Sequence, residues 1–251
     1  MLNSELISAL IPTAREAGER IMEVYSKPAE SETKADGSPA TEADLAAEAV
    51  ILSALKEIAP KITIISEENA ASHSVAPPSQ FFLVDPLDGT KEFLKRDGKG
   101  SFTVNIALVK NGVPVMGIVY APALDRMFYG STEQGAFEVL GGAAKQIAVR
   151  KNASGKRVAV ASASHRDAET DKWLAAEGIT ETISIGSSLK FCLVAAGEAD
   201  IYPRFGPTME WDTAAGDAVL RAAGGSVCLP NGSVLPYAKK DYRNGAFIAS
   251  A

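Results

Sequence analysis

Along the first segment of the chain, Leu6, Leu10, Ala14, Ala17, Ile21 and Tyr25 recur at spacings of three and four, which predicts a helix over residues 2–25. Pro12 falls inside that stripe, so a kink or a split is expected there. Residues 27–40 are polar and contain Gly37 and Pro39, and they read as a loop. A second helix is predicted from Thr41, with Thr41 as its N-cap. Leu45, Ala49, Leu52, Leu55 and Ile58 would form its buried face, and Pro60 would end it. The pattern then changes to strands. Residues 62–65 are short and β-branched, and 81–84 form an apolar run that stops at Asp85. Two strand-like runs between Phe102 and Tyr120 meet at Asn111-Gly112, the strongest short hairpin signal. Residues 127–129 and 136–139 extend the sheet.

After about residue 150 strands and helices alternate. Strands are expected at 158–161, 182–185 and 199–202, and helices at 168–177, 187–196 and 211–223. Residues 226–229 and 246–249 return to the sheet. The expectation is an α/β (α+β) protein, with an antiparallel-rich N-terminal lobe over 1–150 and an α/β C-terminal lobe over 151–251.

Composition narrows the class. Of 251 residues, 46% are hydrophobic and 22% charged, which argues for a packed core rather than disorder. A net charge of −6 gives no support for a nucleic-acid partner. Cys192 and Cys228 form no CxxC pair, so zinc-ribbon and thioredoxin-type motifs are excluded and a reducing, cytoplasmic compartment is expected. The N-terminus has no basic region ahead of an apolar one and does not read as a signal peptide. The longest uncharged stretch, 222–238, is broken by Pro230, Asn231 and Gly232, so no integral membrane span is expected. Peripheral association with the cytoplasmic face of the inner membrane stays open, as does the choice between monomer and homodimer.

Four segments carry candidate chemistry. In Val84-Asp85-Pro86-Leu87-Asp88-Gly89-Thr90, two carboxylates and the Leu87 carbonyl at a strand end offer oxygen ligands to a hard divalent cation. The N–H groups of Gly89 and Thr90 offer an anion seat beside them. The competing reading is a helix cap at Asp88 and a turn at Asp85. Ser66-Glu67-Glu68-Asn69 places an acid after another strand, where a solvated loop is the alternative. Trp211-Asp212-Thr213-Ala214-Ala215-Gly216 offers Asp212 either as a further ligand or as an N-cap with Trp211 as its staple. Asp44, one turn into the second helix, either faces solvent or helps orient a water in a polar cleft. There is no G-x-S-x-G elbow and no Walker A loop, so neither a serine hydrolase nor a P-loop nucleotidase is supported.

Taken together, Glu67, the Asp85–Thr90 block and the Trp211–Gly216 block resemble the lithium-sensitive, magnesium-dependent phosphatases of the inositol monophosphatase superfamily, over nearly the whole chain. Lys91-Glu92, Gly186-Ser187-Ser188-Leu189-Lys190, the Asp200–Arg204 run and Gly206–Asp212 are similar to the bacterial 3′(2′),5′-bisphosphate nucleotidase branch. The resemblance implies a layered αβαβα sandwich. It implies hydrolysis of adenosine 3′,5′-bisphosphate to AMP and phosphate in sulfur assimilation, with inositol-1-phosphate hydrolysis as the alternative. It implies two or three Mg²⁺ ions held by Glu67, Asp85, the Leu87 carbonyl, Asp88 and Asp212. Asp44, Glu67 and Thr90 would act on the attacking water. Substrate would be met by Glu67, Leu87, Asp88, Gly89, Thr90, His165, Ser187, Lys190, Arg204 and Asp212. For Lys190 and Arg204 there is a physical reason as well, since a bisphosphate has a second anionic group for cations to hold. A surface ion pair is the alternative for both.

Overall fold

The computed structural model describes residues 2–27, 39–96, 98–151, 155–162 and 167–251. Its first part contains helices α1 (Asn3–Tyr25) and α2 (Pro39–Ile58), then strands β1 (Thr63–Ser66) and β2 (Gln80–Asp88) and the short helix α3 (Thr90–Lys95). Strands β3 (Thr103–Lys110), β4 (Val113–Ala121), β5 (Arg126–Ser131), β6 (Gly135–Leu140) and β7 (Ala143–Ile147) follow. The second part runs β8 (Val158–Ser162), α4 (Ala168–Ala176), β9 (Glu181–Ile185), α5 (Leu189–Ala195), β10 (Ile201–Arg204), β11 (Thr208–Met209), α6 (Ala214–Ala222), β12 (Ser226–Cys228), β13 (Arg243–Asn244) and β14 (Phe247–Ser250).

Strands β1 to β7 form one sheet in chain order, with β1 and β2 parallel and every later neighbour antiparallel. The expected hairpin turns at Asn111-Gly112 between β3 and β4. A second sheet has the order β12-β14-β10-β8-β9, and β11 pairs β13 in a small ribbon.

Alternation along the strands of the first sheet divides its side chains between two cores. Phe82, Val84, Ile106, Leu108 and Ile118 pack with Leu10, Ala14, Ile21, Ala47 and Ile51 of α1 and α2. Phe81, Leu83, Ala107, Val109 and Phe128 face the other way, onto Leu189, Phe191, Ala215 and Val219 of α5 and α6. The second sheet closes that core with Val160, Tyr202, Phe247 and Ala249. On its far side Ala159 and Ile201 pack against Leu174 of α4. The layers therefore run helix, sheet, helix, sheet, helix, as the resemblance implied.

Several local expectations are corrected. Helix α1 is not split at Pro12, because Pro12 and Ser8 lie on its exposed side, where the Ser8 carbonyl that Pro12 cannot bond meets water. Helix α2 begins at Pro39, so Thr41 sits inside its first turn rather than capping it. Its buried face is Ala43, Ala47, Ile51 and Leu55, while Leu45 is 51% exposed. The alanines let α1 and α2 pack closely, so the largest apolar residues did not mark the inner face. Strand β2 continues past Asp85 to Asp88, and β7, β11 and β13 had no counterpart in the sequence reading.

Candidate active site

The acids meet because β1 and β2 are parallel and end side by side. Ser66 pairs with Val84, and the Glu67 N–H donates to the Val84 carbonyl at 3.1 Å, so Glu67 and Asp85 leave the sheet at one edge. The Leu87 N–H donates to Asp85 Oδ1 at 3.1 Å. The β2–β3 register shifts between Asp85 and Asp88, an irregularity of the kind that re-aims a side chain. Gly89 then adopts φ 96° and turns the chain into α3. A Cβ there would lie 3.1 Å from the Ser101 carbonyl, so both backbone conformation and space call for glycine. From the second half, Asp212 arrives just before α6, its Oδ2 accepting the Met209 N–H at 2.8 Å. Oxygens of Glu67, Asp85 and Asp212 all lie within 4.8 Å of one another.

Burial, reinforced by the neighbouring acids, holds Asp85 and Asp212 well above the usual carboxylate range. Burial also pushes Glu67 up to about 7, although hydrogen bonding to Asp85 opposes it. Asp88 rises for the same first reason, while Lys190 and Ser188 pull it back. Such a set, rich in hard oxygen donors and short of positive charge, fits a hard divalent cation.

The acids open onto a cavity of about 370 Å³ whose opposite wall comes from the second half of the chain. The turn Gly186-Ser187-Ser188 delivers this wall, with Ser187 at φ 52°. Ser188 Oγ lies 3.0 Å from Asp88 Oδ2 and 2.8 Å from the Asn105 side-chain amide. Lys190 is 6% exposed, so the surface ion pair weighed for it is excluded. Its Nζ donates to the Ser187 carbonyl at 2.6 Å and lies 5.4 Å from the centroid of the Tyr202 ring. Burial lowers its ammonium to about 8, with Asp88 opposing the shift. Arg204 ends β10, and its guanidinium donates to the Gly206 and Pro207 carbonyls at 3.2 and 3.3 Å.

Trp211 braces the acids from behind. His73 stacks on its indole at 4.7 Å and 20°, while His73 Nε2 lies 2.8 Å from the carbonyl of Ser66, the residue before Glu67. Tyr242 lies on Trp211 at 6.2 Å and donates its hydroxyl to the Val75 carbonyl. Ser66 Oγ donates to the buried Glu48, one helical turn from Asp44 on α2.

Residues 2–251 match the model of the inositol monophosphatase family. The chain belongs to that family. It is 48% identical over 249 residues to the 3′(2′),5′-bisphosphate nucleotidase CysQ of Escherichia coli O6:H1, covering 98% of this chain and 99% of that protein. Among solved structures, CysQ from Bacteroides thetaiotaomicron, described as a bacterial member of the family, superimposes with a TM-score of 0.88 at 42% identity, over 97% of this chain and 96% of that one. An inositol monophosphatase from Anabaena gives a TM-score of 0.77 at 25% identity, over 98% and 90% of the two chains. No helix among the described residues is long and apolar enough to cross a membrane.

Glu67, Asp85, Leu87, Asp88, Gly89, Thr90, Ser187, Lys190, Arg204 and Asp212, all singled out in the sequence, line this one cavity. Asp212 is not the helix cap; Thr213 occupies that position. Asp44 does not line the cavity, yet Glu67 and Glu68 act on its carboxyl, so it is neither solvated nor remote. His165 lies outside the described residues. Sequence reasoning missed Glu48, His73 and Asn105. Each has a partner outside its own element, Ser66 for Glu48, Trp211 for His73 and Ser188 for Asn105, and no local spacing announces them. Ser188, Glu92 and Tyr202 were named only as parts of motifs, without chemistry of their own.

Proposed function

We propose that the chain is a Mg²⁺-dependent phosphomonoester hydrolase that removes the 3′-phosphate of adenosine 3′,5′-bisphosphate to give AMP and phosphate, with the phosphosulfate relative of that nucleotide as a further substrate, in sulfur assimilation. The observation that carries this reading is the pairing, across one cavity, of an acid cluster with the cations Lys190 and Arg204. The first wall suits a reacting phosphoryl group bridged by cations, and the second suits a separate anionic group. The 48%-identical relative is a 3′(2′),5′-bisphosphate nucleotidase, which supports the same substrate.

In this reading Glu67, Asp85, Asp88, Asp212 and the Leu87 carbonyl hold two or three Mg²⁺ ions. When bound, these supply charge neutralisation at the phosphoryl oxygens and activation of water. The backbone N–H groups of Gly89 and Thr90 steady the phosphoryl oxygens. The Thr90 hydroxyl and Asp44 orient the attacking water, and Asp44 or Glu67 takes its proton. Lys190 and Arg204 hold the 5′-phosphate, and Ser187 shapes the wall between them. Inositol 1-phosphate has no second anion to meet these cations. The test is Mg²⁺-dependent phosphate release from adenosine 3′,5′-bisphosphate, inositol 1-phosphate and fructose 1,6-bisphosphate. The nucleotide should be preferred; a preference for either sugar phosphate refutes the assignment.

A further inference from the structure

Glu92 lies two residues beyond Thr90, on the first turn of α3, is 6% exposed and lines the cavity. Its side chain passes across Gly186, where a Cβ would fall 2.6 Å from Glu92 Cγ and 2.8 Å from its Cδ. Gly186 is itself fixed, its N–H donating to Ser101 Oγ at 3.2 Å. The carboxylate is thus held in place by packing, and it acts on both Asp88 and Lys190. It is not one of the three acids whose oxygens lie within 4.8 Å of one another, and its charge acts on Lys190.

A carboxylate at this place repels the phosphates of a bisphosphate, and the repulsion is strong where water is scarce. What it can do for such a ligand is accept a hydrogen bond, because a carboxylate is acceptor-only. On a ribose 3′-phosphate, the neutral donor nearest the ester is the hydroxyl on the adjacent carbon. Glu92 lines the same cavity as Gly89 and Thr90, so an ester seated on their N–H groups brings its neighbouring hydroxyl into the space that Glu92 faces. We propose that Glu92 accepts a hydrogen bond from the sugar hydroxyl vicinal to the phosphate ester, so that the site selects ribonucleotides over deoxyribonucleotides. This inference rests on the bisphosphate reading of the cavity. Lys190 and Glu92 then divide the recognition: the cation meets the remote anion, and the carboxylate meets the neutral donor.

The experiment compares kcat/KM for adenosine 3′,5′-bisphosphate and 2′-deoxyadenosine 3′,5′-bisphosphate in the wild type, Glu92→Gln and Glu92→Ala. Glu92→Gln keeps the packing over Gly186 and retains a neutral acceptor, and circular dichroism verifies that each variant is folded. The wild type should favour the ribonucleotide by about tenfold or more, as expected for a hydrogen bond to a charged group. Glu92→Ala should bring the ratio to within about twofold of unity through loss of ribonucleotide activity, and Glu92→Gln should fall between. If both substrates lose activity equally and the ratio is kept, Glu92 serves only to balance Lys190 and the inference is overturned. A wild type without preference overturns it too. If the wild type releases phosphate from neither nucleotide, the bisphosphate reading itself fails, and this inference with it.

Discussion

In the metal-free chain, raising the pH forces charge into a buried acid cluster, and Asp44 gives the clearest measure of the cost. Asp44 is 6% exposed, and burial, followed by Glu68, Glu67 and Glu48, pushes its carboxyl from 3.8 up to about 8. A carboxyl raised in the folded state binds its proton more tightly there than in the unfolded chain. Its contribution to stability is complete below the unfolded value and is lost as pH rises through the folded one. Between those limits one extra bound proton changes stability by about 1.4 kcal/mol per pH unit. From pH 5 to pH 7 the loss is about 3 kcal/mol, or about 5–10 °C in melting midpoint for a chain of this length. Glu67, pushed up to about 7, adds to the fall with the same sign. The assay is a melting scan in chelator across this range, for the wild type and Asp44→Asn. The wild type should lose stability as pH rises, and the variant's slope should be shallower by about 1.4 kcal/mol per pH unit. The two should melt alike only below about pH 4, with the variant already ahead at pH 5 and further ahead at pH 7. Mg²⁺ should restore the wild type most at the higher pH. A metal-free wild type whose midpoint is flat or rises over this range, or a variant that runs parallel to it, refutes the reasoning.

Asp85→Asn is nearly isosteric and removes a charge that burial disfavours. It should melt no lower than the wild type in chelator at pH 7 and should lose about a hundredfold or more in Mg²⁺-dependent phosphate release; retained turnover would remove Asp85 from the ligand set. Lys190→Ala should lower kcat/KM for adenosine 3′,5′-bisphosphate by about 30-fold or more and act much less on adenosine 3′-phosphate, which lacks the second anion. An equal loss on both nucleotides would place Lys190 in a structural role only. Gly186→Ala introduces a Cβ 2.7 Å from the Ser101 carbonyl as well as onto Glu92, and overpacking of this kind should cost about 1–3 kcal/mol in a denaturant titration. An unchanged midpoint would contradict the close packing of that turn.

The parts of this protein legible in its sequence are those that a local period can encode. The α1 stripe, the Asn111-Gly112 hairpin and the later alternation of strands and helices each repeat within a few residues, and each is found in the fold. The edge strand β7 escaped because its first four residues are exposed and lack an alternating apolar face. The ribbon of β11 and β13 consists of two-residue strands, too short for any period. The inner face of α2 was misjudged because alanine, rather than leucine, supplies its close contact with α1. The acids at the site were legible because each follows a strand or precedes a helix, where chain ends converge in layered folds. Their geometry was not, since it depends on pairings such as Ser66 with Val84 and Ser188 with Asp88 that link distant segments.

The site is also assembled more tightly than its ligands alone require. Glu67 and Asp212 come from opposite ends of the chain, yet they are connected through side chains that bear no charge in the cluster. The His73 ring lies on Trp211 while its Nε2 meets the Ser66 carbonyl, so the residues beside the two acids are tied through one imidazole. Tyr242 lies tilted against the indole and donates to the Val75 carbonyl, which closes the same segment from the second half. Mutual repulsion among the acids would part the two halves, and these ring contacts oppose the separation with dispersion and hydrogen bonding that salt screens little. The acids are therefore kept within reach of a common ion before any ion arrives. That explains how a fold can tolerate a buried cluster of carboxylates: the aromatic brace fixes their positions, and protonation or a divalent cation settles their charge.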